Sequence, residues 1–341
     1  FTFEQSSALT LGNGSIYSID SVEEAHLIGG ASGNKIDVSD YDGDVTIEGR
    51  GGDDELLGGP GDDTFIFLPT DTGNVTVVGY DAATIAADDP GFDTLDFSAM
   101  TQNLIVDLSS LNTPTPLYTG APISLIFERE DIDAVIGGDG DDDITGNARD
   151  NTLSGGPGDD SLAGGSGNEI YAFDADEAWG KETIFEDPTD LVGHDVLDFS
   201  ATTGFPVIVD LNIFGTSPAA DQVIGNLTLV IEAGGFEEVI GGDMDDEITG
   251  NSLDNTLRGG PGHDLLEGFG GDDFLDGGEG NAERDGHACG SDHLHGEDHR
   301  VAQRRAQRAD GKQLELDVER CTRLDLGGGR SLVSQARRRG A

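Results

Sequence analysis

In three stretches of the chain an apolar side chain recurs at every ninth residue, with polar and glycine-rich sequence in between. The recurring positions are Ile36, Ile47, Leu56, Phe65, Ile144, Leu153, Leu162, Tyr171, Ile248, Leu257, Leu266 and Leu275. One inward side chain in nine predicts a strand of about three residues between two turns, which buries little by itself. Such strands are stable only when copies stack, so the pattern predicts a solenoid rather than a globular core. Little of the sequence has the period of an amphipathic helix.

With the apolar residue set at position eight, the units align without gaps. Residues 49–57 and 58–66 read GRGGDDELL and GGPGDDTFI. Residues 137–172 give GGDGDDDIT, GNARDNTLS, GGPGDDSLA and GGSGNEIYA. Residues 241–285 give GGDMDDEIT, GNSLDNTLR, GGPGHDLLE, GFGGDDFLD and GGEGNAERD. GGASGNKID at 29–37 fits the same frame, and 40–48 is a degenerate copy. Glycine at positions one, two and four permits tight turns and close approach of backbone to an ion. Position six is nearly always a carboxylate or an amide.

These units resemble the GGxGxDxUx nonapeptide of the RTX (repeats-in-toxin) family, a calcium-binding β-helix repeat. The resemblance implies an all-β fold, a right-handed parallel β-roll or β-solenoid with two nonapeptides per coil. It also implies Ca²⁺ between stacked turns on one side, held by turn carbonyls and the position-six residue. Carried onto this chain, the metal ligands are Asp54, Asp63, Asp142, Asn151, Asp160, Asp246, Asn255, Asp264 and Asp273. Beside them at position five stand Asp53, Asp62, Asp141, Asp159, Asp245 and Asp272. Pairing unit n with n+2 gives roughly four to seven ions. Without them the stacked carboxylates repel, so binding and folding are expected to be one event.

Two spacers, 67–136 and 173–240, separate the blocks and match one another. DTLDFSAMTQNLIVDL (93–108) aligns with DVLDFSATTGFPVIVDL (195–211), and IDAVIGGDGDDDIT (132–145) with FEEVIGGDMDDEIT (236–249). The expected organisation is a lead-in and first block (1–66), β-rich spacer (67–136), second block (137–172), β-rich spacer (173–240), third block (241–283) and a tail (284–341). The spacers are expected to be wider coils that continue the solenoid, with a separate small β-sandwich as the competing picture.

Charge separates body from tail. The whole chain carries −50. Residues 1–283 hold 59 acidic and 6 basic side chains, a net of −53, whereas 284–341 hold 9 and 12, a net of +3. A body this acidic lacks the basic stripe that a nucleic-acid partner needs and is repelled by anionic membrane. No run approaches the ~18 apolar residues of a membrane-spanning helix, so direct membrane insertion is not expected. Even seven ions add only about +14, so the roll stays acidic when loaded. Both cysteines, Cys289 and Cys321, lie in the tail, so no disulfide staples the body. The tail is read as disordered or out of frame. His287, Cys289, His293, His295 and His299 could in principle bind zinc there, but the nonapeptide pattern collapses just before them, at Ala282 and Arg284.

No catalytic signature stands beside the repeats. HExxH, GxSxG and GxxxxGK[ST] are all absent from the sequence. Asp40, Asp42 and Asp44 mimic the start of an EF-hand, but Val45 stands where its glycine would be. His26, His194 and His263 are isolated in the sequence, and paired carboxylates are too common here to single out an acid–base pair. The chain is therefore expected to be a non-enzymatic, calcium-folded structural or adhesin-like segment of a secreted bacterial protein. The alternative is an accessory region of an extracellular hydrolase, lyase or epimerase whose catalytic domain lies elsewhere. The chain opens on Phe1 rather than Met, which suggests an excerpt. The family's route out of the cell is type I secretion, although the Arg-rich tail departs from the usual C-terminal signal.

Overall fold

The computed structural model describes residues 24–39, 41–79, 91–186, 193–213, 221–233 and 235–278, with the backbone of short strands at 2–4, 8–10, 16–18, 283–284, 293–295 and 300–301. Two compact units result. The first holds residues 1–172, 177–194 and 227–234, and the second 173–176, 195–226 and 235–341.

In the first unit the chain passes back and forth between parallel sheets. One sheet runs through Glu24–Ile28, Asp44–Glu48, Thr64–Ile66, Thr94–Asp96, Ala134–Ile136, Thr152–Ser154 and Ile170–Ala172. Opposite it, Lys35–Asp37, Asp54–Leu57, Gly73–Val78 and Ile123–Phe127 form a second parallel sheet. A third contains Ile105–Asp107, Asp143–Thr145, Ser161–Ala163, Gly180–Phe185 and Leu227–Ala233. Short strands of the first 18 residues add an antiparallel meander beside Lys35–Asp37.

The register places every position-eight side chain over the next one. Leu95 pairs with Val135, Val135 with Leu153, and Leu153 with Tyr171. On the opposite sheet Val106, Ile144, Leu162 and Ile184 form the matching row. All eight are buried. Each three-residue strand of the second block presents one residue inward, flanked by half-buried or exposed neighbours, so the core there is two facing rows of apolar side chains. At about 1.5–3 kcal/mol per buried side chain, no single coil repays the ordering of its 18 residues. Stacking is thus a condition of folding and not an embellishment of it.

The second unit repeats the arrangement. Val196–Asp198, Glu238–Ile240, Thr256–Arg258 and Phe274–Asp276 pair in parallel, with Leu197, Val239, Leu257 and Leu275 in register. Ile208–Asp210, Glu247–Thr249 and Leu265–Glu267 form the facing sheet through Val209, Ile248 and Leu266.

Spacer strands take places in the same parallel sheets as the repeats. Thr94–Asp96 lies between Thr64–Ile66 of the first block and the spacer strand Ala134–Ile136, and Ile105–Asp107 pairs with Asp143–Thr145 of the second block. Where a spacer leaves the repeats, phenylalanine replaces the position-one glycine. Phe67 stacks on Phe97 at 4.8 Å between ring centroids, and Phe173 stacks on Phe199 at 5.0 Å. These buried rings fill the wider coil that the longer connection creates. Beyond residue 282, the backbones of Glu283–Arg284, His293–His295 and Arg300–Val301 continue the two sheets of the second unit. The other tail residues, including His287, Cys289 and His299 of the zinc possibility, lie outside the described residues.

Candidate metal centre

The fifteen expected ligands fall into two rows with different surroundings. Position-six side chains are buried throughout: Asp54, Asp63, Asp142, Asn151, Asp160, Asp246, Asn255, Asp264 and Asp273. Position-five side chains, Asp53, Asp62, Asp141, Asp159, Asp245 and Asp272, are exposed. The cause is the alternation of a strand whose position-eight residue points inward, which turns position six inward and position five out.

Both rows bond to backbone, in opposite directions along the stack. Position-six Oδ1 accepts an amide from the preceding coil: Asp142 from Leu104 N at 2.8 Å, Asp160 from Asp142 N at 2.7 Å. Asp246 accepts from Val207 N at 2.8 Å, Asp264 from Asp246 N at 3.0 Å and Asp273 from Asn255 N at 2.9 Å. Asp63 and Asp54 do the same with Val45 N and Asn34 N. Position-five Oδ1 accepts from the following coil: Asp141 from Asp159 N at 3.1 Å, Asp245 from His263 N at 2.9 Å, Asp53 from Asn74 N at 2.9 Å. Asp62 and Asp159 accept likewise from Phe92 N and Lys181 N, while Asp272 N donates to Asp254. The Asp-Asp pair is thus a double staple, one carboxylate down and one up.

The second oxygen of the position-six carboxylate accepts the position-two amide of its own turn in Asp63, Asp142 and Asp246, from Gly59 N at 2.6 Å, Gly138 N at 2.8 Å and Gly242 N at 2.8 Å. It curls beneath the position-one glycine of its own turn, where no side chain fits. A Cβ added to Gly241 would overlap Asp246 Oδ2 and lie 2.5 Å from the carbonyl oxygen of Gly259 in the next turn. Position four is equally close-packed: Gly262 has φ +142°, and a Cβ there would overlap the carbonyl oxygen of Met244 and lie 2.8 Å from Asp264 Oδ1. Carboxylate and carbonyl oxygens of adjacent turns therefore converge at glycines, with no room for a side chain. Asp54 Oδ2, Asp160 Oδ2 and Asp264 Oδ2 are buried and no hydrogen-bond donor reaches them. An all-oxygen set of this kind suits a hard cation such as Ca²⁺, which takes six to eight oxygens, and lacks the sulfur or imidazole that zinc prefers.

Electrostatics point the same way. Burial raises the carboxyls of Asp142, Asp246 and Asp264 to about 6 and that of Asp160 to about 7. Burial also raises Asp54 above the ordinary carboxylate range, against the hydrogen bonds from Asn34. Neighbouring carboxylates push Asp142, Asp160 and Asp246 further in the same direction. Buried like charges at this density call for either protons or a cation.

Asn151 and Asn255 share the bond to the position-two amide with Asp63, Asp142 and Asp246 and differ in the other one. Each Oδ1 accepts the amide of its own position two, from Asn147 N at 2.7 Å and Asn251 N at 2.8 Å. Each Nδ2 donates to a lead-in carbonyl, Ile132 O at 3.1 Å and Phe236 O at 3.1 Å. The same carbonyls also accept from Asn147 Nδ2 and Asn251 Nδ2, both at 3.0 Å. In these GNxxDN turns Nδ2 stands where the aspartates have the Oδ1 that accepts from the preceding coil, and neither residue offers an anionic oxygen.

Three buried acids that the nonapeptide frame did not mark join the position-six rows. Asp63 N donates to Asp93 Oδ1 and Asp93 N to Asp133 Oδ2, which extends the first block's row through the spacer. Glu182 lies beside Asp160 in the second block's row and is fully buried. The available signal was an acid two residues before an inward apolar side chain: Asp93-Thr94-Leu95, Asp133-Ala134-Val135 and Glu182-Thr183-Ile184. His26 also differs from its isolated look in sequence, since its Nε2 lies 2.8 Å from Glu48 Oε1.

Among known families, residues 37–65, 136–168 and 249–282 match the four-copy model of the RTX calcium-binding nonapeptide repeat. No curated protein matches the chain.

Proposed function

We propose, from the premise that the three blocks are RTX calcium-binding nonapeptide repeats, that this chain is a structural segment which calcium folds outside the cell. Calcium binding belongs to the repeat family itself; the secreted location, the adhesin-like role and the number of ions are our reading. The observation that carries it is the row of buried position-six carboxylates, three of which keep an oxygen that no donor reaches, facing turn carbonyls across glycines. Nothing in such a row moves a proton to a substrate. What it does is hold successive coils together once a cation enters.

Weak multiple sites of this kind fit millimolar extracellular calcium, where dissociation constants of about 10⁻⁴–10⁻³ M are saturated or nearly so. In a cytosol with far less calcium the same rows would keep the coils apart, which suits export of an unfolded chain followed by folding outside. The outward position-five acids leave the folded surface acidic, and this favours a role as a soluble spacer or a surface for a cationic or calcium-bridged partner. Calorimetric titration of the full chain with Ca²⁺ is expected to count roughly four to seven ions. A count of none or one would remove the reading.

A further inference from the structure

The second spacer rejoins the repeats through residues 177–185, EAWGKETIF, which no family match covers. Its backbone nevertheless stacks on the turn 155–160 in the way one nonapeptide stacks on another. Lys181 N donates to Asp159 Oδ1 at 2.9 Å, as Asp159 N donates to Asp141 Oδ1. Thr183 N donates to Asp160 O at 2.8 Å, as Ser161 N donates to Asp142 O. Gly180 has φ +79°, and a Cβ on it would overlap the carbonyl oxygen of Gly158, the relation that Gly158 has to Gly140. Ile184 pairs with Leu162 in the inward row. Glycine four, acid six and apolar eight are all in place, in a segment without the leading glycines.

At position six of this hidden unit stands Glu182, 0 % exposed. Apart from the two carboxyl groups facing each other within hydrogen-bond reach, no donor reaches either oxygen of Glu182, nor Asp160 Oδ2 below. Two buried carboxyl groups thus meet between two stacked turns whose carbonyls approach across Gly158 and Gly180, and either a shared proton or a cation must lie between them. Glutamate is one methylene longer than the usual aspartate, so its head extends past the backbone-stapling place and over Asp160.

We propose that Asp160 and Glu182 hold a calcium ion between the second block and the spacer, so that the spacer strand Gly180–Phe185 docks only when calcium is bound. The assignment rests on the calcium reading given above. Trp179, the only tryptophan of the chain, provides a local reporter, because it is buried and its carbonyl accepts from Gly158 N at 2.9 Å.

The test uses the full chain with Tb³⁺ as the luminescent stand-in for Ca²⁺, excited through Trp179, together with calorimetric Ca²⁺ counting. Wild-type protein is expected to show tryptophan-sensitised Tb³⁺ emission that Ca²⁺ displaces. Glu182→Gln is expected to lose that emission and to bind one ion fewer, while Glu182→Asp keeps both at weaker affinity. If Glu182→Gln keeps the emission and the full count, the site is not there, and the wider calcium reading stands untouched. If wild-type protein binds no calcium at all, the wider reading falls and this site with it. Should Glu182→Gln fail to fold, Asp160→Asn carries the same two readouts, and an unchanged count in it overturns the proposal.

Discussion

Stripped of divalent cations, the chain is expected to fold on acidification and to unfold as the pH rises through about 6 to 7. The groups responsible are Asp142, Asp246 and Asp264, raised by burial to about 6, and Asp160, raised to about 7. In the unfolded chain the same carboxyls titrate near 4. A raised folded-state pKa means that the folded form binds more protons between the two values, so stability falls as pH rises across that window. The contribution is fully present below pH ~4 and is lost for Asp142, Asp246 and Asp264 above about 6. Each of these costs at most about 3 kcal/mol when ionised, less whatever solvent screening removes. Several such terms together match the roughly 5–15 kcal/mol of an ordinary domain, which decides against a stable cation-free fold at neutral pH. Far-UV circular dichroism of chelator-treated protein between pH 4 and 8 checks this. A β spectrum that is kept at pH 8 and lost at pH 4 would reverse the sign and contradict the account.

Neutralising one buried acid is expected to make the chain less dependent on calcium rather than simply weaker. Asp160→Asn and Asp264→Asn keep the Oδ1 that staples the preceding coil and replace an Oδ2 that no donor reaches with an N–H₂ group. Asn151 and Asn255 show that the roll accepts such a turn, closed by amide donors to lead-in carbonyls. At pH 7 without calcium each variant is expected to gain roughly 1–3 kcal/mol relative to wild type, the cost of the buried charge. With saturating calcium each is expected to lose stability, because one site has lost an anionic ligand. Urea midpoints with chelator and with 10 mM Ca²⁺ give both numbers. Loss of stability under both conditions would show that the carboxylate works only as a backbone staple.

The inward rows were legible in the sequence because a strict nine-residue period fixes them: Leu153, Leu162 and Leu257 are buried at the positions where the frame puts them. Three features were not. The opposite hydrogen-bond directions of Asp141 and Asp142 depend on how coils stack, and adjacent aspartates look equivalent in a one-dimensional pattern. The GNxxDN turns looked like ordinary repeats with a conservative Asp-to-Asn change. Their meaning lies in a second asparagine at position two and in carbonyls 15 to 19 residues upstream. Asp93 and Glu182 were hidden because the glycines that announce a unit are missing, although the backbone still takes the nonapeptide path. Spacer and repeat differ in how the chain leaves a coil, through Phe67 or Phe173 in place of glycine, more than in how it returns.

The central claim is that calcium completes this fold, and titration of the full chain from chelator to 10 mM Ca²⁺ at pH 7.5, followed by far-UV circular dichroism with Mg²⁺ as control, tests it most directly. A cooperative coil-to-β transition with Ca²⁺ and none with Mg²⁺ is the expected result, since Mg²⁺ demands a tighter octahedron and gives up its water reluctantly. A spectrum that ignores calcium, folded or unfolded throughout, would mean that the buried carboxylates serve the backbone alone.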